Sequence, residues 1–480
     1  MWIVLSTLTY ILGFALIILM IMQRKPPANT LAWTLAIVFL PVIGSLLYLW
    51  FGFGRVVYRI KRRSRSNKMI AMDLQKIEQA LTSFLILQDD QTHMPVQREL
   101  VAVTAASGGF SATHGNAIIL HTDANVAFDH LLAAILGAEE SVHLQYYIFR
   151  KDETGREVRD ALIAAAKRGV KVRLLIDGVG SWSLPWSFLR PLRRAGGFSA
   201  RYLPVTPFGR PWHWNLRNHR KIAVIDGHIG FTGSANIGNE YRHRTGKISD
   251  FDDLQVECRG PVVQQLQEVF AADWFFATRE NLFSINSLFP LPERSGTVMA
   301  QVVEGGPTGP AFTLHDMLCA AVHAATQSVR IVSPYLIPDQ ALIAALRTAA
   351  LRGISVELIV ARHFPGWEKM IHIAGRSFYE DLLPAGVKIY EYLPAFLHAK
   401  GVAIDGCFLS MGTANIDMRS FFLNFEVNMN IYSREISAHF EQMFAEHKHL
   451  CEEITREMLA KRSLPIRFLE NTMRVFSPIL

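Results

Sequence analysis

The chain has 480 residues, which is enough for about three domains of ordinary size. Half of its residues are hydrophobic, more than a soluble protein needs, and this predicts that part of the chain lies in a membrane. The formal net charge is +7, and residues 55–68 hold seven Lys or Arg and no acidic residue, so the rest of the chain is neutral. A neutral remainder argues against binding to a nucleic-acid backbone and favours an anionic membrane surface beside the basic stretch.

Two uncharged stretches begin the chain, at residues 1–22 and 30–54. Each has the roughly 20 apolar residues needed to cross a bilayer, and the first lacks the basic start of a cleavable signal peptide. We therefore predict a two-span transmembrane hairpin, with two buried core helices as the alternative. Two basic residues between the spans and seven after them predict a multi-pass cell-membrane protein with its large domain in the cytoplasm.

From residue 130 onward, strand-like and helix-like segments alternate, which predicts an α/β fold with mixed or parallel sheets. In the first half, strands at residues 141–149 and 170–177 enclose a helix that ends at Gly169. In the second half, strands at residues 328–337 and 355–361 enclose a helix with Asp339 as its N-cap. A further strand is predicted at residues 387–393, after these two.

A Pro/Gly-rich run at residues 289–310 is typical of a seam between two halves. The predicted organisation has four parts: the hairpin (1–54), a basic stretch with a linker (55–115), a first domain (116–288) and a second domain with C-terminal helices (289–480). Four cysteines without CxxC spacing fit a reducing compartment.

Two short motifs are repeated, HRKIAVID followed by GSAN and HAKGVAID followed by GTAN. Each residue of the second set lies 179 positions after its counterpart in the first; the sets are His219, Lys221, Asp226 and Asn236, and His398, Lys400, Asp405 and Asn415. A single histidine on a strand is more often a satisfied core or surface residue. Four equal offsets instead indicate a duplicated unit, so we predict that each half supplies half of one phosphodiester-handling site.

The apolar alternation of both motifs predicts strands, in which residues i and i+2 share a face, so each His lies beside its Lys. Asp226 and Asp405 lie seven positions after their histidines. In a regular strand they point to the opposite face, which predicts a structural role. Asp253 and Glu426, in apolar segments after each Asn, are better placed to accept a proton from each imidazole and to fix its tautomer.

A phosphodiester is already anionic, so attack on it requires a neutral nucleophile and fixed donors around the phosphoryl oxygens. The lysines and asparagines of both motifs supply such donors without a metal or cofactor, and Ser234 and Thr413 add hydroxyl donors. One neutral imidazole attacks phosphorus to give a phosphohistidine. The other, protonated, donates to the leaving alkoxide and later activates the incoming alcohol, and the ordinary His pKa of about 6.5 allows both forms near neutral pH. The sequence leaves open which histidine attacks.

Other segments carry weaker signals. The first half has an eleven-residue insertion within residues 205–218, whose aromatic residues either contact lipid headgroups or cover a pocket. His447, His449 and Cys451 resemble metal ligands but are more typical of an amphipathic helix. The glycines of GGPTGP lack the GKS/T ending of a P-loop and are read as a turn. The C-terminal RFLENTMRVFSPIL is either a membrane-surface helix or a domain-packing element.

The duplicated HxK(x)4D motif, with its Gly-Ser/Thr and Asn segment, resembles the signature of the phospholipase D superfamily. Together with the N-terminal spans and the basic stretch, GSANIGNEY and GTANIDMRSFFLNFE make nearly the whole chain similar to bacterial cardiolipin synthases. Ser234-Ala235 departs from the Gly-Met or Ser-Met expected there, but leaves the motif intact.

The resemblance implies two α-β-α sandwich domains that meet at one active site. It also implies transfer of a phosphatidyl group from one phosphatidylglycerol to another with release of glycerol. The catalytic set is then His219, Lys221, Asn236, His398, Lys400 and Asn415, with Asp253 and Glu426 as histidine partners and Asp226 and Asp405 as the remaining motif residues.

Three rival functions stay open from the sequence. A hydrolytic phospholipase D would give the same phosphohistidine to water. A nucleic-acid phosphodiesterase is opposed by the neutral catalytic region. A catalytically idle membrane scaffold is opposed by the completeness of both motifs. The oligomeric state and the use of phosphatidylethanolamine as a co-substrate are not predicted.

Overall fold

The computed structural model describes residues 2–22, 27–49, 75–85, 95–204, 216–246, 250–307 and 312–477. They fall into two compact units, of which the first holds the N-terminal helices and the second holds both repeated halves. The predicted basic stretch (55–68) and most of the predicted insertion (205–215) lie outside the described residues.

In the described part of the N-terminal unit the helices are α1 (Trp2–Met22), α2 (Pro27–Phe39) and α3 (Pro41–Leu47). They share a small core of Leu16, Met20, Ile37 and Tyr48. Leu40 leaves the helical region of backbone space (φ −129°, ψ 67°), and Pro41 begins α3, so the predicted second span is divided into helices of 13 and 7 residues. Among the residues described, no helix is at once long enough and apolar enough to cross a membrane, so the two predicted spans are not supported.

The second unit opens with helices α4 (75–81) and α5 (Pro95–Ala106). The strands of the first half are β1 (Thr113–His121), β2 (Ser141–Tyr146), β3 (Lys171–Asp177), β4 (Phe198–Tyr202), β5 (Ile222–Ile225), β6 (Ile229–Gly233), β7 (Phe251–Asp252) and β8 (Gln255–Arg259). Its helices are α6 (Ala124–Gly137), α7 (Glu153–Lys167), α8 (Arg190–Arg194) and α9 (Val262–Thr278).

The strands of the second half are β9 (Val298–Gly305), β10 (Ser328–Ser333), β11 (Leu336–Ile337), β12 (Ser355–Ala361), β13 (Lys388–Tyr392), β14 (Phe396–Leu397), β15 (Gly401–Ile404), β16 (Phe408–Gly412), β17 (Ile416–Asp417), β18 (Glu426–Tyr432) and β19 (Cys451–Glu453). Its helices are α10 (Thr313–Ala324), α11 (Gln340–Leu351), α12 (Lys369–Arg376), α13 (Tyr379–Leu382), α14 (Met418–Phe422), α15 (Arg434–Lys448), α16 (Arg456–Ala460) and α17 (Leu464–Val475).

Fifteen strands form one mixed sheet in the order β19-β13-β12-β10-β15-β16-β18-β9-β1-β8-β6-β5-β2-β3-β4. Seven strands of each half follow the same order outward from the antiparallel pair β1·β9, which joins the halves, and β19 extends the second half by one strand. Parallel pairs such as β2·β3 lie beside antiparallel pairs such as β5·β6, so the predicted α/β fold with mixed sheets is confirmed. The predicted seam is not a loop throughout, because β9 falls within it and lies at the centre of the sheet.

Local sequence explains the alternation of strands and helices. Strand β2 is buried along its whole length, as expected for a strand covered on both faces. Asp152 caps α7 and Asp339 caps α11, the latter as predicted, by accepting hydrogen bonds from backbone N–H groups. Two apolar clusters each fill one half, and a third contains residues from both halves, which joins the halves into one folded body.

Candidate active site

The two His-X-Lys segments lie immediately before strands rather than within them. Strand β5 begins at Ile222 and β15 begins at Gly401, one residue after each lysine. The Lys221 Nζ donates to the carbonyl oxygen of His219 at 2.9 Å, and Lys400 makes the same contact with the carbonyl of His398. Each lysine thus folds back beside its histidine, although not through the strand geometry that the sequence predicted.

Backbone pairing carries each histidine across to the other half of the chain. Strand β14 pairs in parallel with β7, and the His398 N–H donates to the carbonyl of Asp252 at 2.7 Å. The counterpart is a bridge between Asn218 and Phe425, in which the His219 N–H donates to the Phe425 carbonyl at 2.9 Å. The residue after each of these acceptors is a carboxylate, so this pairing brings each histidine to the acid of the opposite half.

The two imidazole–carboxylate pairs are therefore crossed. Nδ1 of His219 lies 2.9 Å from Oε2 of Glu426, and Nδ1 of His398 lies 2.6 Å from Oδ1 of Asp253. Both carboxylates are fully buried. A carboxylate at Nδ1 fixes the tautomer that leaves Nε2 for chemistry. Neither half by itself contains a complete pair, which the sequence did not reveal.

Ser234 and Thr413 hold these carboxylates. Their hydroxyls donate to Asp253 and Glu426, each at 2.6 Å, and each hydroxyl also accepts a backbone N–H at 2.9 Å. The prediction that they donate to a phosphoryl group is therefore wrong, since both protons are committed. A glycine precedes both Ser234 and Thr413, and it lets the two backbone segments pack closely. A Cβ at Gly233 would lie 2.4 Å from the Leu254 carbonyl oxygen.

Asp226 and Asp405 lie away from the imidazoles and close loops. Asp226 accepts the backbone N–H groups of residues 139–141 at 2.8 to 3.0 Å. Asp405 accepts those of residues 326–328, each at 2.8 Å. Both aspartates have positive φ, 54° and 50°, which a short polar side chain tolerates. They fix the starts of β2 and β10 beside the turns after β5 and β15, in the structural role that their spacing predicted.

The two asparagines are buried, and each reaches the site through one neighbour: the Asn236 side chain hydrogen-bonds with Tyr241, whose ring packs against His398, and the Asn415 side chain hydrogen-bonds with Asp417, whose charge acts on Lys400. Oδ1 of Asn236 accepts the backbone N–H of Ile148 at 3.0 Å. Asn415 donates its side chain to Asp417, and its Oδ1 makes no hydrogen bond within the described part of the chain. The structure thus brings together eight predicted residues: His219, Lys221, Asn236, Asp253, His398, Lys400, Asn415 and Glu426.

Comparison with known proteins agrees with this geometry. The family model for "Cardiolipin synthase, PLD-like domain" matches residues 131–274 and 318–448, and that for "Phospholipase_D-nuclease N-terminal" matches residues 8–52. A cardiolipin synthase of Geobacillus kaustophilus is 34% identical over 464 residues, covering 96% of this chain and 90% of that protein. Cardiolipin synthase 1 of Bacillus cereus is 36% identical over 485 residues, covering 98% and 92%.

The chain belongs to the phospholipase D-like cardiolipin synthase family. Among solved structures, a phosphatidylserine synthase of Haemophilus influenzae covers 85% of this chain and all of its own, with a TM-score of 0.58 and 13% sequence identity. That likeness shows the same fold. The two halves of this cardiolipin synthase family member are the two copies that carry the HxK motif.

Burial dominates the electrostatics of the family motif. It lowers the pKa of His219 to about 4, and together with the Lys400 cation it lowers the pKa of His398 to about 3. Burial also lowers the pKa of Lys221 to about 7 and that of Lys400 to about 8. At neutral pH both imidazoles are therefore neutral, whereas the sequence predicted a mixture of forms from an ordinary pKa.

For the two carboxylates, burial does not decide the direction of the pKa shift. Burial alone would raise the pKa of Asp253 and of Glu426, but the imidazole and lysine beside each outweigh it, and both pKa values are lowered. The site thus holds two carboxylates against two neutral imidazoles and two incompletely charged lysines. An anionic phosphodiester placed among these groups would favour protonation of the lysines and of one imidazole.

Several residues that lie close to the histidines and lysines of the motif were not predicted to do so from the sequence. The Tyr147 ring packs edge-on against His219 with centroids 4.9 Å apart, and Tyr241 packs edge-on against His398 at 5.6 Å. Glu368 lies near Lys400, and burial raises its pKa. His447, considered above as a metal ligand, instead places its Nε2 2.7 Å from Oδ2 of Asp252. It thus holds the residue whose carbonyl oxygen accepts the His398 N–H. Tyr241 lies in GSANIGNEY and His447 was considered for another role, whereas no sequence pattern pointed to Tyr147 or Glu368.

Proposed function

We propose that this protein is a phosphatidyltransferase that makes cardiolipin and glycerol from two molecules of phosphatidylglycerol. The observation that carries the proposal is the crossed pair of imidazole–carboxylate contacts, flanked by two buried lysines. Such a set provides two positioned imidazoles for one phosphorus atom. The curated relatives named cardiolipin synthases support the choice of lipid substrate.

In the first step, Nε2 of one neutral imidazole attacks the phosphorus of phosphatidylglycerol. A P–N bond forms, and the P–O bond to the glycerol headgroup breaks. The second imidazole, which gains a proton when the anionic lipid binds, gives that proton to the departing glycerol oxygen. Its buried carboxylate stabilises the imidazolium before transfer, which is the reason that both histidines need an acid at Nδ1.

In the second step, the second imidazole, now neutral, takes the proton of the headgroup hydroxyl of another phosphatidylglycerol. The hydroxyl oxygen attacks phosphorus, the P–N bond breaks, and cardiolipin leaves. The second imidazole holds this proton until the product leaves and then releases it to solvent, which balances the proton it took up when the first lipid bound. Both imidazoles thus return to their neutral starting states, with no net gain or loss of protons. Lys221, Lys400 and the two motif asparagines donate to the phosphoryl oxygens, whose charge increases in each transition state.

The lipid partner also implies a membrane location, which we propose to be the bacterial cell membrane with the catalytic halves on its cytoplasmic side. The family match over residues 8–52 and the basic stretch at 55–68 support this location. Helix α17 supports it further. Its Met473 is buried, while Leu464, Phe468 and Val475 are exposed by 75% or more. An exposed apolar row on a helix that also carries Arg467 suits an anionic bilayer surface.

Product analysis tests the proposed reaction. The purified chain is incubated with phosphatidylglycerol alone in liposomes, and cardiolipin, phosphatidic acid and free glycerol are quantified, beside a double variant His219→Ala/His398→Ala. We expect cardiolipin and glycerol in equal amounts, and neither from the double variant. Phosphatidic acid with little cardiolipin would make the protein a hydrolase, and no product from the unaltered chain would overturn the proposal.

A further inference from the structure

A second cluster of titratable groups lies in the first half, outside the histidine motif. His121 ends β1, His130 lies on α6, and Glu257 lies on β8, where it pairs with Ile119 of β1. Oε2 of Glu257 is 2.8 Å from Nδ1 of His130 and 3.5 Å from Nε2 of His121. One ligand-type atom from each of the three side chains lies within 4.8 Å of the others.

We propose that this cluster binds a transition-metal ion, with Zn²⁺ as the best match, through Nε2 of His121, Nδ1 of His130 and Oε2 of Glu257. Imidazole nitrogen and carboxylate oxygen are common zinc ligands, at about 2.0 to 2.2 Å. A tetrahedral site with such bonds places its ligand atoms about 3.3 to 3.5 Å apart. Two of the observed separations, 2.8 and 3.5 Å, lie close to that spacing, and the third is no more than 4.8 Å.

The state of His121 points to a missing ligand. Its side chain is 4% exposed, and within the part of the chain that the structure describes Nε2 makes no well-formed hydrogen bond: its contact with Oε2 of Glu257 is long, at 3.5 Å, and that oxygen already contacts His130 at 2.8 Å. A buried nitrogen without a partner costs about 1 to 3 kcal/mol. The shared carboxylate oxygen contacts His130 closely and His121 only at long range, whereas a metal ion would bind all three groups at full strength.

The surroundings leave room for an ion and a route to it. The His130 side chain is 45% exposed, so solvent reaches the cluster, and three protein ligands leave a fourth position for water. Arg259 approaches the other carboxylate oxygen, Oε1, at 3.6 Å and leaves Oε2 available. An ion here would tie helix α6 to strands β1 and β8, next to the join between the halves. We therefore assign it a structural role, separate from the phosphoryl-transfer chemistry.

Zinc binding to the full chain tests the assignment. The double variant His219→Ala/His398→Ala serves as the background, because it removes the catalytic imidazoles as competing ligands. The protein is stripped with chelator, equilibrated with Zn²⁺ and desalted, and bound metal is measured by mass spectrometry together with the melting temperature. Further variants are His130→Ala, Glu257→Gln and, as the matched control, His228→Ala, which changes an exposed histidine in the turn after β5.

We expect about one zinc ion per chain and a higher melting temperature with zinc, as for any ligand that binds only the folded state. The affinity should fall at least tenfold in His130→Ala and in Glu257→Gln, and stay unchanged in His228→Ala. Because His130 is half exposed, its replacement leaves the core intact and keeps the comparison valid. Equal zinc retention in all variants, or no retained zinc in the background protein, would overturn the proposal.

Discussion

Replacing Glu426 by Gln tests the crossed arrangement of the site. The Glu426 side chain is fully buried and contacts His219, and it also accepts hydrogen bonds from Thr413 at 2.6 Å and from Asn424 at 3.1 Å. Glutamine keeps the shape but loses the charge, and it turns one acceptor oxygen into an amide donor. The imidazolium of His219 and the Lys221 cation then lose the carboxylate that stabilises them.

The expected size of the effect follows from the lost contact. A hydrogen bond to a charged group contributes about 1.5 to 3 kcal/mol. Since about 1.4 kcal/mol corresponds to a factor of ten in rate, kcat should fall by about ten- to 150-fold. The pKa of Lys221 should also fall, because the Glu426 charge raises it. The control is Glu435→Gln, an exposed glutamate in the first turn of α15, which should leave kcat unchanged.

Double-mutant cycles then show which histidine the carboxylate serves. Glu426→Gln is combined with His219→Ala and, separately, with His398→Ala, and the affinity for orthovanadate, a phosphoryl-transfer analogue, is measured by calorimetry. This readout works in variants that no longer turn over. Groups in contact couple by about 0.5 to 3 kcal/mol, while independent groups add within about 0.5 kcal/mol. We expect coupling of Glu426 with His219 and near-additivity with His398. Coupling to His398 instead would refute the crossed assignment.

Three further outcomes follow from the structure. Because the lysine pKa values are about 7 and about 8, the cationic donors are present at lower pH and lost as pH rises through this range. Proton uptake by the second imidazole also becomes harder as pH rises, so kcat/KM should fall from about pH 6 to pH 9, and an unchanged value over that range would contradict this. Asp405→Asn should lower unfolding stability by about 1 to 3 kcal/mol, since its amide would face backbone donors, while kcat of the folded protein is retained; thermal unfolding and kinetics check this, and a lower kcat at unchanged stability would count against it. Phe468→Glu in α17 should weaken sedimentation with phosphatidylglycerol liposomes, whereas Leu351→Glu, at an equally exposed site in α11, should not; equal binding by both variants would remove α17 from the membrane surface.

The sequence predicted which residues form the site. The constant interval between the motifs identified both histidines and lysines, and the position of Asp253 and Glu426 after each Asn identified the acids. The odd spacing of seven positions predicted that Asp226 and Asp405 point away from the imidazoles. The structure agrees, although the histidines themselves lie just before the strands. These inferences succeeded because they rest on spacing within each motif and on the repetition of that motif along the chain, and neither depends on how distant segments pair.

The features that the sequence did not predict depend on long-range pairing. Nothing within one motif indicates that Asn218 bridges to Phe425, or that β14 pairs with β7, and these contacts decide which acid meets which histidine. Strand β9 was hidden because proline and glycine flank it on both sides, although it joins the two halves of the sheet. The lowered pKa values of the histidines arise from burial by the folded halves, which no spacing encodes.

The most direct test of the two-histidine account is to trap the covalent intermediate. The enzyme is mixed with phosphatidylglycerol labelled in its phosphate, quenched in alkali to preserve the P–N bond, digested and analysed by mass spectrometry. The account predicts label on a single histidine, either His219 or His398, and no label in the variant that replaces it by Ala. Label on any other residue, label that survives in both His→Ala variants, or an active enzyme that is never labelled would contradict it.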